Sequence, residues 1–139
     1  MVEKFADYEP KKRLDQEGEF VFKIDNAELT TSSKGNPMVI FDVTCDEGFL
    51  KLYMNLSTTM RWRYNLLIAA CLNLTGEARR NFELDYETIH NQLVGKKFKG
   101  VVVKGKDYDK ERKAVVDGLF EIQTVTIHTY EIKEFYPVD

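Results

Sequence analysis

Alternation of apolar and polar positions sets in at Gly18 of this 139-residue chain. Phe20, Phe22 and Ile24 alternate with Val21, Lys23 and Asp25, the period of a half-buried strand. Residues 30–37 (TTSSKGNP) collect turn formers and predict an exposed loop. Residues 38–45 form a second strand with Val39, Phe41, Val43 and Cys45 facing inward, broken by Asp46, Glu47 and Gly48. Along residues 49–56, Leu50, Leu52, Met54 and Leu56 alternate with Phe49, Lys51, Tyr53 and Asn55. Strands two and three therefore predict a hairpin.

The period then turns helical. Met60, Tyr64, Leu67, Ile68, Cys71 and Leu72 share one face, with Ser57 or Thr58 as the cap and Gly76 as the stop. Asp85 caps a shorter helix that holds Ile89 and Leu93 and ends at Gly95. Residues 97–104, with Phe98, Val101 and Val103, make a fourth strand. A charged linker leads to residues 119–132, read as one long strand needing a bulge, since Thr124, Val125, Thr126 and Ile127 fit neither alternation. Three strands, a helical insert and two more strands predict a mainly β protein. The pattern is a five-stranded oligonucleotide-binding (OB) barrel with a helical insert between strands 3 and 4. It spans residues 18–139, behind an N-terminal arm of residues 1–17 that is either flexible or packed on an edge.

Size and composition narrow the class. The chain is long enough to bury a core without disulfides or metal. No apolar stretch approaches the roughly 18 residues of a membrane span. The first residues lack the apolar core and cleavage site of a secretion signal. Cys45 and Cys71 each sit in an apolar run and read as buried free thiols of a reducing compartment. With only His90 and His128 beside them, no metal site is expected.

Net charge is -3, but it is unevenly spread. Residues 95–113 hold eight Lys or Arg against three acids, and residues 114–139 hold one Lys against five. Such a field attracts a polyanion to one face and repels it from another.

Signatures of catalysis are missing. Neither GxGxxG nor GxxxxGK[ST] occurs, so the common nucleotide-cradling loops are absent. Asp107 and Asp109 suggest a metal pair, but alternation with Tyr108, Lys110 and Arg112 more simply marks a solvated hairpin. No enzyme activity and no cofactor are expected.

Binding chemistry is better represented. Lys34 and Asn36 stand at the mouth of the second strand, where an ammonium meets phosphate and an amide meets phosphate or base; Gly35 and Pro37 also explain that loop as a plain turn. Phe49, Lys51, Tyr53 and Asn55 interleave aromatics with a cation and an amide, which suits stacking of bases while tracking a backbone. Packing of Phe49 and Tyr53 beneath the N-terminal arm or the helix is the competing reading. Arg61 and Arg63 open the long helix near a potential groove, while Trp62 is expected to cover the barrel bottom. Lys104, Lys106 and Tyr108 could form a groove wall, although lysines also protect edge strands from pairing.

Residues 18–29 (GEFVFKIDNAEL), 33–43 (SKGNPMVIFDV), 67–76 and 93–97 (LVGKK) resemble a family of small phage and prophage proteins. That family, first grouped as a domain of unknown function, comprises single-stranded DNA-binding proteins. The likeness covers residues 8–130, and the Ser-Lys-Gly-Asn-Pro-Met segment is its most specific part. It implies an OB-fold coat for single strands exposed in replication or recombination, in the cytoplasm of a bacterial host. It implies the loop, the strand after it and the basic stretch as the binding region. Bacterial single-strand binding proteins often close in a long acidic tail with a terminal apolar residue, unlike residues 131–139 here (EIKEFYPVD).

The leading expectation is therefore sequence-independent binding of single-stranded DNA. Alternatives are a protein-interaction module of a replication or recombination complex and, against the missing ligand cluster, a small nuclease. Replication or recombination proteins and further copies of the chain remain open as partners.

Overall fold

In a computed structural model, residues 12–138 are described. Alternation produces strands β1 (Gly18–Thr31), β2 (Pro37–Cys45) and β3 (Gly48–Asn55), followed by helices α1 (Arg61–Leu72), α2 (Gly76–Arg80) and α3 (His90–Leu93). Strands β4 (Lys97–Lys104), β5 (Tyr108–Val116), β6 (Leu119–Ile127) and β7 (Tyr130–Tyr136) complete the order. Five of them form one antiparallel sheet, β3-β2-β1-β4-β7, curled into a half-barrel; among the described residues β5 and β6 pair only with each other.

The curl starts in β1, which is too long for one neighbour. Its first residues pair with β4 from Gly18↔Val102 to Lys23↔Lys97. From Lys23↔Thr44 to Thr31↔Pro37 it pairs with β2, through an irregularity between Ile24 and Asn26. A bulge of this kind bends a strand and increases twist, so β2–β3 and β4–β7 wrap around one core. Phe22 and Phe98, both fully buried, stack there with centroids 5.5 Å apart. Burying each ring contributes about 1.5–3 kcal/mol. Tyr64, Leu67 and Ile68 of α1 close the core from the side.

The inward sets expected for β2 and β3 are buried throughout, from Val39 to Cys45 and from Leu50 to Leu56. Part of the expected arm packs on the edge of β3: Leu14 N donates to Phe49 O at 2.9 Å and Phe49 N to Lys12 O at 3.0 Å. Gly48 permits this approach, because a Cβ there would lie 2.6 Å from Lys12 O. Residues 1–11 of that arm lie outside the described residues.

Several expectations are corrected. The charged linker is β5, and residues 119–132 are not one strand but β6 and the start of β7. Asp117 (φ 51°) and Gly118 (φ 79°) make the two-residue turn between β5 and β6, a backbone that favours Asp-Gly and suits a hairpin. Seven strands thus replace five among the described residues. In β4 the inward residues are Phe98, Gly100 and Val102, with Val101 and Val103 half-buried on the other face; Gly100, pressed against Phe22 and Ile132, hides the alternation because it has no side chain. Helix α1 ends at Leu72 with Asn73 in the left-handed conformation, and Gly76 opens α2 instead of stopping α1. Neither Ser57 nor Thr58 caps α1 through its side chain; Met60 holds the N-cap position and is exposed.

Candidate nucleic-acid interface

The outer face of β2–β3 is set by register. Phe49 lies opposite Thr44, Lys51 opposite Asp42, Tyr53 opposite Ile40 and Asn55 opposite Met38. All four β3 residues point away from the buried Leu50, Leu52 and Met54. A shallow groove of about 590 Å³ runs over this face, bordered by Lys23, Asp25, Asp42, Thr44, Phe49 and Lys51. Its charges are mixed and engaged: Lys51 Nζ is 3.9 Å from Asp42, and Thr44 donates to Asp25 at 2.7 Å. Tyr53 is 53 % exposed, whereas Phe49 is half-buried with the Arg13 guanidinium 5.8 Å from its ring centre. Of the two aromatics, Tyr53 is the more exposed.

Lys34 and Asn36 are exposed at the loop joining β1 to β2, beside the end of β3 that carries Asn55. Ser32 N donates to Asn36 O at 2.7 Å and Asn36 N to Ser32 Oγ at 3.1 Å, and Gly35 takes φ 84°. These bonds fix the loop while leaving both side chains outward.

Arg61 and Arg63 are drawn inward. Arg61 Nε donates to Leu56 O at 2.7 Å, and its guanidinium lies 4.7 Å from the Tyr86 ring centre. Arg63 donates to Tyr53 O at 3.2 Å and to Ile132 O at 2.5 Å, and sits 5.4 Å from the Phe135 ring centre. Burial lowers the Arg63 pKa from its usual value, with Glu131 opposing. Arg63 thereby ties β3 to β7 across the open side of the half-barrel. This connection also sets Tyr53 beside β7, whose first residue, Tyr130, pairs with Lys104.

The basic stretch continues from there into the β5–β6 hairpin, an arm that stands away from the sheet. Its root is pinned: Gly105 N donates to Thr129 O at 2.9 Å and Thr129 Oγ1 to Lys106 O at 2.7 Å. Asp107 accepts from His128 at 3.0 Å with Lys104 Nζ at 3.6 Å, and these partners, His128 first, hold its carboxyl below the usual range. Lys104 is therefore partly neutralised, while Lys106 and Tyr108 are exposed. Register places Tyr108, Lys110 and Arg112 on one face of the arm, opposite Ile127, Val125 and Gln123. The sequence-predicted residues thus fall into two zones, the β3 face with the β1–β2 loop, and the arm root; Arg61 and Arg63 belong to the framework between them.

Two residues escaped the sequence reading. Trp62 does not cover the barrel but is 60 % exposed; it lies two positions from Tyr64, off the helical spacing that α1 buries, which is a legible signal. Phe120, near the arm tip, is 79 % exposed, and reading residues 119–132 as one long strand gave it no face.

Neither Cys45 nor Cys71 forms a disulfide; burial raises the Cys45 pKa and pushes Cys71 up to about 12. His90 is buried in α3, and its Nδ1 has no hydrogen-bond partner among the described residues. Among the described residues, no group of three His, Cys, Asp or Glu could hold a metal ion. Nor is any helix there long and apolar enough to cross a membrane. No protein-family model and no curated protein matches the chain.

Proposed function

We propose that this protein binds single-stranded DNA without base-sequence preference, as an OB-type coat in phage-like replication or recombination. The resemblance of residues 33–43 to phage single-strand binding proteins supports the reading, as does the helical insert between the third and fourth sheet strands. The observation that carries it is the exposed Tyr53 between Lys51 and Asn55, on the outer face of a curled sheet.

The mechanism is passive. A base stacks on Tyr53, a contact that needs a ring face and tolerates every base. A phosphate replaces Asp42 as the partner of Lys51, and Lys34 and Asn36 hold the strand beyond the end of β3. Towards β7 the strand continues past Lys104 and Lys106 to Tyr108, Lys110 and Arg112 on the arm. Duplex DNA offers no unstacked base to Tyr53, so single strands are favoured.

Photocrosslinking of a halogenated-pyrimidine oligonucleotide, followed by peptide mapping, tests this path. Crosslinks at Tyr53 and Tyr108 support it. Crosslinks confined to other surfaces, or none, reject it.

A further inference from the structure

One register row crosses four strands of the sheet on its outer face. Phe49 of β3 lies opposite Thr44 of β2, Thr44 opposite Lys23 of β1, and Lys23 opposite Lys97 of β4. Arg13, bridged to Phe49 with its guanidinium 5.8 Å from the ring centre, extends the row past β3. Arg13, Lys23 and Lys97 are all exposed. None of the three forms an ion pair among the described residues.

Lys23 and Lys97 are the informative pair. Residues directly opposite on antiparallel strands have Cβ atoms about 4.5–5.5 Å apart, and like charges there are destabilising. Around the row, Asp42 is engaged by Lys51, Asp25 by the Thr44 hydroxyl and Glu19 by Lys99. Asp46, in the turn beside them, makes no ion pair with either lysine. An anion held between the two ammonium groups offsets their repulsion.

The relief of the surface extends the same row. A hollow of about 270 Å³, lined by Val21, Lys23, Thr44, Asp46 and Lys97 among others, lies over β1 and the end of β2. It shares Lys23 and Thr44 with the groove over the β2–β3 face, so the two depressions meet. Strands lie about 4.8 Å apart, which puts Phe49 and Lys97 about 14 Å from each other along the row. That length suits an extended polyanion better than a single ion.

We propose that Lys23 and Lys97 hold the phosphate backbone of the same single strand that stacks on Tyr53. The strand then crosses the sheet transversely, from the edge of β3 at Arg13, over Thr44, to β4. This inference rests on the single-strand reading and lengthens its site beyond the β2–β3 face.

The test is the salt dependence of binding to a single-stranded oligonucleotide of about 16 nucleotides, the upper end of the site sizes of one OB fold. Lys23→Gln with Lys97→Gln should flatten the log–log slope by about 1.4, at roughly 0.7 per phosphate, and weaken low-salt binding about tenfold or more. Lys97→Glu gives Lys23 an ion-pair partner; it should keep the fold and weaken binding as well. Arg79→Gln with Arg80→Gln removes the same charge from exposed positions on α2, off the row, and should leave the slope at its wild-type value. A wild-type chain that binds no single strand overturns the single-strand reading and this inference together. If the wild type binds and the Lys23 and Lys97 variants keep its slope, this inference alone falls. It falls too if the α2 pair flattens the slope equally, since bulk charge would then explain both.

Discussion

Arg63 Nη2 donates to the carbonyl oxygen of Ile132 at 2.5 Å, joining residues 69 positions apart in sequence. The same guanidinium reaches Tyr53 O, so one side chain satisfies a carbonyl on each side of the half-barrel's opening. Hydrogen bonds to charged groups contribute about 1.5–3 kcal/mol each before partial exposure reduces them, and an abandoned carbonyl adds a desolvation cost. Arg63→Ala should therefore destabilise the fold by about 2–4 kcal/mol. Arg63→Lys should recover little, because an ammonium lacks the planar fork. Urea unfolding checks both; wild-type stability in Arg63→Ala would show that the opening does not depend on this tie.

Asp107 gives the arm root a pH dependence. Its carboxyl is held below the ordinary value by His128 and Lys104, so the ionised form is favoured in the folded protein. The stabilisation is fully present above the unfolded carboxylate value of about 3.9 and is lost as pH falls below it, through the depressed folded pKa. Carboxyl chemical shifts should show Asp107 titrating below the exposed aspartates, and Asp107→Asn should remove that segment of the unfolding pH profile. Titration at or above the ordinary value would contradict the geometry.

What the sequence could and could not disclose follows from where side chains meet the core. β2 and β3 alternate strictly because one face is buried, so residues 38–45 and 49–56 declared both strands and both faces within a residue or two. β5 has no buried face, and its Lys, Glu and Arg run carries no hydrophobic period, so it read as a linker. Tyr53 was legible as outward-facing because its neighbours are so plainly inward. The fate of Arg63 was not: its partners are backbone carbonyls on β3 and β7, and only the folded chain brings those together.

Lys110 and Arg112 are exposed and make no ion pair among the described residues. If the strand follows the arm, each neutralises about one phosphate. Lys110→Ala with Arg112→Ala should then flatten the log–log salt dependence by about 1.4, at roughly 0.7 per single-strand phosphate. Stability should change by less than about 0.5 kcal/mol, as at ordinary surface positions. An unchanged slope, measured by fluorescence anisotropy, would remove the arm from the path.

Tyr53 separates stacking from packing. With the residue just over half exposed, Tyr53→Ala should lose about 1–3 kcal/mol of single-strand binding and much less folding stability than the roughly 3–5 kcal/mol of a buried aromatic. Tyr53→Phe should keep most of the binding, since the stack needs the ring and not the hydroxyl. Normal stability with unchanged binding in Tyr53→Ala would shift the base platform towards Tyr108.

The central claim is most directly tested by titrating the wild-type chain with matched single-stranded and duplex oligonucleotides from low to physiological salt. The account predicts tighter binding of the single strand at every salt concentration, weakening by about 0.7 log units per phosphate for each tenfold rise in salt. Equal affinity for both forms, or a flat response to salt, would contradict it.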